Sequence, residues 1–503
     1  MKRKLIGIVK AVVFFLPFIM ATMGFLMEMQ DGILNAMYRA MRLYFVEMDC
    51  DYADVNALIG IARWTAPIMS AAAILAALSS VFGWMKNAIR VRRKGAVAIH
   101  GDSEYASLLA ESMGRRAVLG QEPVNMKAPN QVLMFREDRD MLAYLNANRE
   151  KLFRNANKVY LCTEHLVRSN FSNRNLIVCN YPEICARSYW KEYPLRYHSG
   201  ERTIVIIGFS GYGQEILTQA LLRNVYAPDS QITYHVFGDA SQYLGWHSEL
   251  SQIVSLGEDS QGDRVYFHQE AWSSCGEVIS GADRIILAED EEVVNMMTLN
   301  VLERYYLTGT IHIKVNDSRI LQDLSTSVMA FGTAGQLCTE AAILGEESVL
   351  DAKRIHAGYF RQFQCQRKDS CKGLDQCLTC SRFQDSWYSQ TSFIYHSNVA
   401  QADHIPVKIQ ILLGDDFRLV ENAGQQAARV YDGLSEQERF RLIETEHLRW
   451  MRYHFMNNWR YAPVRDNEKK QHPLLVPFRQ LDLENQLKDE SAWRNAFLLY
   501  RQG

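Results

Sequence analysis

The sequence shows no excess of charge, no low-complexity bias and no disulfide framework. With 55 Lys and Arg against 57 Asp and Glu, the net charge is −2, which gives no electrostatic reason to expect nucleic acid as a partner. At 48% apolar and 22% charged residues the composition differs from that of a disordered chain. Ten cysteines are present, but Cys50, Cys162, Cys179, Cys185, Cys275 and Cys338 are scattered singly, a usage that fits reduced thiols of a cytosolic protein. A chain of 503 residues is too long for one core, and about three or four folded units are expected.

Two uncharged runs stand out. Residues 11–27 (AVVFFLPFIMATMGFLM) and 64–85 (WTAPIMSAAAILAALSSVFGWM) each approach the ~20 apolar residues of a membrane span once their flanks are counted. No A-x-A-like site follows the first run, so the reading is a span and not a cleaved signal. Lys2, Arg3 and Lys4 precede the pair, and Lys86, Arg90, Arg92, Arg93 and Lys94 follow it. The connecting loop carries Glu47, Asp49, Asp51 and Asp54. The positive-inside rule then places both termini in the cytosol, in an inner (cytoplasmic) membrane. Within the loop, residues 32–46 put Ile33, Met37, Met41 and Phe45 on one helical face, the pattern of a pore helix or an interfacial helix. Nothing resembling the T-V-G-Y-G potassium filter follows it.

From residue 95 short apolar strands alternate with amphipathic helices, the signature of parallel α/β sheets. The first repeat (95–200) predicts strands at 96–100, 131–135 and 158–162 and carries a degraded G-x-S-x-x-A turn at Gly101, Ser103 and Ala106. This marks it as a packing partner more than a binding domain. The second repeat (201–347) is better preserved. Strand 203–207 leads into Gly208, Phe209, Ser210, Gly211, Tyr212 and Gly213, then a helix whose N-terminus can receive a phosphate. A strand at 232–237 ends near Asp239, placed for ribose hydroxyls, and a strand at 284–288 runs into Glu289 and Asp290. These nine residues are the candidate nucleotide contacts.

The stretch IVIIGFSGYGQEIL resembles the N-terminal half of regulator-of-potassium-conductance (RCK, TrkA-N) domains. That resemblance implies NAD(H) or another adenine nucleotide as ligand and a tetrameric, channel-like layout. Ser210 in place of the middle glycine and the missing filter depart from it.

Residues 348–503 read as mostly helical. Residues 436–457 form an amphipathic helix with Phe440, Ile443, His447, Trp450 and His454 in near-heptad positions, followed by an aromatic, basic and proline-rich loop. Arg and Trp together can stack a base and pair a phosphate; the alternative is a helical hairpin whose tryptophans are core. Glu446 to Trp450, Asn458 to Tyr461, Arg465-Asp466, His472-Pro473 and Pro477-Phe478, with Trp387 and residues 397–403 upstream, are similar to the RyR domain, the helical repeat of ryanodine receptors. That similarity spans about residues 350–500. It implies a sensor of nucleotides such as ADP-ribose derivatives, often in anti-phage systems, with Arg449, Trp450, Trp459 and Arg465 as ligand candidates. Cys365, Cys371, Cys377 and Cys380, spaced C-x5-C-x5-C-x2-C, could hold a zinc ion or remain free or redox-active thiols.

The expected fold is therefore multi-domain: a transmembrane hairpin (1–94), two Rossmann-like α/β domains and a helical RyR-like domain. The expected function is a membrane-anchored nucleotide sensor, homo-oligomeric because two spans cannot enclose a pore, with the bilayer and a small nucleotide as partners. An NAD-dependent oxidoreductase on a tether, or a scaffold with relic Rossmann units, are the alternatives. No proton-transfer constellation supports the former, since His235 and His268 lie in strand patterns.

Overall fold

The computed structural model describes residues 2–28, 32–48, 50–51, 55–120, 123–166, 175–256, 262–321, 328–345, 349–365 and 373–500. Asp49, Asp54 and Cys371 lie outside them. The chain divides into two compact units, residues 1–92 and 93–503.

In the first unit, helix α1 (Lys2–Glu28), helix α2 (Ile33–Arg42) and helix α3 (Ala57–Arg90) pack together. Asn56 caps α3, its Oδ1 accepting from Ile59 N–H at 3.0 Å while its Nδ2 donates to Gly24 O at 2.9 Å, so the end of α1 meets the start of α3. Ala21, Phe25, Ala36, Ala40, Leu43, Ile59, Ala62 and Ala66 form the shared core. The face of α2 read as apolar is not the face that packs. Ile33, Met37, Met41 and Phe45 are exposed, while Ala36 and Ala40 are buried, because small side chains allow the closest approach of helix backbones. Ala57–Arg90 is, among the described residues, the helix long and apolar enough to cross a membrane; Val12–Glu28 is apolar but shorter.

The second unit contains two fully parallel sheets. The first has strands β1 (Val97–His100), β2 (Ala117–Leu119), β3 (Asn130–Leu133), β4 (Lys158–Thr163) and β5 (Leu176–Asn180), in the order β2-β1-β3-β4-β5. The second has β6 (Thr203–Ile207), β7 (Thr233–Phe237), β8 (Arg264–His268), β9 (Arg284–Leu287), β10 (Thr310–Lys314) and β11 (Val328–Phe331), in the order β11-β10-β9-β6-β7-β8. Counted within its own domain that order is 6-5-4-1-2-3, the arrangement of a complete dinucleotide-type fold with its switch point between β6 and β9. The helix Tyr181–Glu192 of the first domain packs on the helix Gly211–Arg223 of the second. One hydrophobic core runs from Val97 and Ile99 through Ile204 and Ile206 to Phe455, Met456 and Trp459.

The rest is helical. Helix Glu436–Met456 starts at a capping box, in which Ser435 Oγ accepts from Glu438 N–H and Glu438 Oε2 accepts from Ser435 N–H. It ends where Asn458 turns to φ +60°. A two-residue strand β12 (Arg460–Tyr461) pairs with β13 (Gln471–His472) and folds the aromatic loop back.

Candidate functional site

The glycine turn of the second repeat is built as its motif requires. Gly208 has φ +93°, and a Cβ at Gly213 would lie 2.0 Å from Gly208 O. Gly213→Ala therefore forces the turn and the helix apart and is expected to cost about 1–3 kcal/mol or more, read as a lower unfolding midpoint.

The anion pocket of that turn is filled from within the chain. Asp290 Oδ1 accepts from Tyr212 N–H at 3.3 Å, at the helix N-terminus where a phosphate oxygen would sit. Ser210 Oγ donates to Glu289 Oε2 at 3.5 Å. Burial, and then the Asp290 charge beside it, push the Glu289 carboxyl up. Lys314 Nζ donates to Asp290 O at 3.0 Å and lies over the Tyr212 ring. Pro182 of the first domain covers Gly211, its Cγ 3.6 Å from where a Cβ would be. Phe209 and Tyr212 are buried. Asp239 is exposed and caps its own turn, Oδ1 accepting from Ser241 N–H at 2.9 Å. In this arrangement the turn does not fit a dinucleotide: the Asp290 carboxylate takes the Tyr212 N–H that a phosphate oxygen would use, and the Glu289 carboxylate lies beside Ser210.

The open crevice belongs to the first repeat. A cavity of about 410 Å³ lies at the C-terminal ends of β1, β3 and β4, the switch point of that sheet. Ser103, Tyr105, Arg136, Asp138, Thr163 and Glu164 are among its lining. Its floor is ordered by Thr163 Oγ1, which donates to Asp138 Oδ2 at 2.7 Å and accepts from the His165 and Leu166 N–H groups. The degraded glycine fingerprint concealed this crevice, because the turn supplies Ser103 to Tyr105 while Arg136, Asp138, Thr163 and Glu164 come from the ends of β3 and β4.

The four C-terminal candidates part company. Arg449 is buried and faces inward, where its Nε and Nη2 donate to both oxygens of Glu446 at 2.7–3.1 Å. Lys408 Nζ reaches the same carboxylate at 2.7 Å. Burial alone would raise Glu446, but Arg449 and Lys408 outweigh it and hold the carboxyl at about 2. This is a structural charge cluster. Trp450 and Trp459, by contrast, meet around two histidines. Trp450 lies 4.0 Å from the His454 ring and 5.0 Å from His472, Trp459 lies 5.3 Å from His454, and Phe393 stacks on Trp459 at 4.9 Å. Trp459 is buried, whereas Trp450 is half-buried at the rim. Arg465 is exposed and its charge is felt by both histidines. Burial first and Arg465 after it lower His472 to about 4; burial also leads in lowering His454, to about 3. The cluster is thus neutral at pH 7 with one cation on its rim. His454 stood in the helical pattern, but its meeting with His472 and Phe393 depends on the β12–β13 turn and on the helix Ser392–Asp403, which sequence spacing does not reveal.

This domain is joined to the second Rossmann-like domain by polar contacts, of which the first is buried. Arg452 Nη2 pairs with Asp263 Oδ2 at 2.8 Å, both side chains being at most 4% exposed. His247 Nδ1 binds Met456 O at 3.0 Å, and Arg460 Nε donates to Glu249 Oε1 at 2.6 Å. Of the four clustered cysteines, Cys377 is buried and Cys365 and Cys380 are half-buried in a small core with Phe383 and Trp387.

The RyR domain family model matches residues 434–499, a shorter stretch than the similarity had suggested, so the C-terminal segment carries a RyR domain. No curated protein and no solved structure matches the chain.

Proposed function

We propose that the protein is a membrane-anchored, non-catalytic nucleotide sensor whose RyR domain binds the ligand. The observation that carries this reading is the aromatic and histidine cluster with Arg465 on its rim, inside the RyR match and joined to the second sheet through Arg452 and Asp263. A base stacks on Trp450 and a phosphate pairs with Arg465. The outward apolar side chains of α1 and α3, among them Phe15, Ile19, Trp64, Ile68, Leu75 and Phe82, support insertion of the first unit in the bilayer. The basic linker 90–94 is the covalent path from sensor to membrane. The output is a change in the state of the transmembrane helices of a homo-oligomer, with ligand favouring one arrangement over another.

A second reading puts the nucleotide in the cavity of the first repeat, beside Arg136. The turn at Gly208 is the weaker third location, since ligand there must displace Asp290.

The test is a thermal-shift screen of the full chain in detergent against NAD, NADH, ATP, ADP-ribose and cyclic nucleotides. A true ligand at about 100 times its Kd adds about 2.7 kcal/mol of stability. Trp450→Ala is expected to abolish the shift. Arg465→Gln is expected to weaken binding by about 10–100-fold, the equivalent of a charge-assisted hydrogen bond of about 1.5–3 kcal/mol. If no nucleotide shifts the wild type, or if both variants respond as the wild type does, this site is wrong.

A further inference from the structure

The loop that leaves β8 gathers three donors that none of the preceding chemistry uses. His268 ends the strand, Glu270 follows two residues later, and Cys275 precedes the short helix Gly276–Ser280. One ligand atom from each of the three lies within 4.8 Å of the others. His268 Nδ1 is 3.9 Å from Glu270 Oε2. Around a tetrahedral zinc with bonds of about 2.0–2.3 Å, donor atoms sit about 3.3–3.8 Å apart. A pair at the 4.8 Å limit needs about 1–1.5 Å of adjustment to reach that spacing, and Glu270, 66% exposed at its side chain, can supply much of it.

The imidazole is held in place by its neighbours on β7. Its Nε2 lies 2.9 Å from His235 Nδ1 on the neighbouring strand β7, and its ring stacks on Phe237 at 4.3 Å. With the proton on Nε2 donated to His235, Nδ1 keeps its lone pair free on the side of Glu270. Such an outer hydrogen bond fixes the tautomer and ring plane of metal-binding histidines. A thiolate and a carboxylate together neutralise a divalent ion, and the thiolate–imidazole pair selects a borderline-soft metal over magnesium or calcium.

We propose that His268, Glu270 and Cys275 form a zinc-class divalent cation site, with water in the fourth position on the exposed side. The metal ties the exit of the edge strand β8 to the turn before residue 276, giving the second sheet a closed edge. This site is separate from the four cysteines at 365–380.

The test is cobalt titration of the chelator-treated full chain in detergent. Cobalt bound by a thiolate gives a near-ultraviolet charge-transfer band. Cys275→Ser is expected to remove one equivalent of that band, while Cys377→Ser leaves that equivalent in place. His235→Phe keeps the stacking but loses the hydrogen bond, and is expected to weaken cobalt binding about 10–100-fold. Glu270→Gln, at an exposed position, serves as a variant whose folding is not in question and is also expected to bind more weakly. The proposal is overturned if Cys275→Ser and Glu270→Gln bind cobalt with the wild-type affinity and spectrum, or if the wild type yields no charge-transfer equivalent that Cys275→Ser removes.

Discussion

Replacing Glu446 by alanine is expected to destabilise the protein by about 3–5 kcal/mol, among the largest effects of any single substitution here. Glu446 is 2% exposed and faces Lys408 and Arg449, which are 0% and 2% exposed. Its removal strands two buried cations, a far greater loss than a missing hydrogen bond. Arg449 Nη1 already lacks an acceptor among the described residues, and Asp489, whose charge also acts on both cations, is engaged with His447 at 3.3 Å. Replacing all three together with apolar residues of similar volume is expected to recover most of the loss, because the desolvation cost leaves with the charges. The same cluster sets an acid limit. Glu446 falls from 4.5 to about 2 on folding, so its contribution is complete above about pH 4.5 and disappears as the pH falls toward 2. Unfolding midpoints of the full chain in detergent measure both effects. A cost below about 1 kcal/mol for Glu446→Ala, the value of an ordinary hydrogen bond, would contradict this account.

Arg452→Met is expected to cost a similar amount, about 3–5 kcal/mol, with a different consequence. Asp263 uses Oδ1 to accept from Ser230 Oγ and from Ile232 N–H, and keeps Oδ2 for Arg452. Without the guanidinium, a carboxylate stays buried and unpaired at the junction between the RyR helix and the second sheet. Arg452 also donates through Nη1 to Leu221 O, at the end of the helix that follows the glycine turn. Cutting this link is expected to leave nucleotide binding at Trp450 intact while removing ligand-dependent protection of β8 and the helix Gly211–Arg223 in hydrogen exchange. Asp263→Asn, which removes the unpaired charge, is expected to be milder in the Arg452→Met background. Protection of β8 and that helix that responds to nucleotide as well in Arg452→Met as in the wild type would sever the proposed path.

The alternation of strands and helices was legible for most of the central strands. Strand 203–207 falls where its TIVII run predicts, and the strands at 131, 158, 232 and 284 shift by a residue or two. β2, β5, β8 and β11 escaped because they lie at sheet edges, where half-buried sequences such as RVYFH lose the continuous apolar run, and interior β10 escaped because TIHIK alternates polar and apolar residues. The site residues were legible by type but not by orientation. Arg449 and Trp450 are adjacent in sequence, yet a 100° step around the helix sends one into a buried ion cluster and the other to the rim. Gly208 to Gly213 announced a nucleotide turn, and the turn is there. What no motif discloses is that Asp290, from the far side of the switch point, occupies it.

The measurement that tests the central claim most directly is hydrogen exchange of the full chain in detergent, with and without the nucleotide that stabilises it. The account predicts slowed exchange in residues 446–475, extending through Arg452 to β8 and the helix Gly211–Arg223. Protection confined to the crevice at β1, β3 and β4, or to the turn at Gly208, with none in the RyR domain, would contradict it.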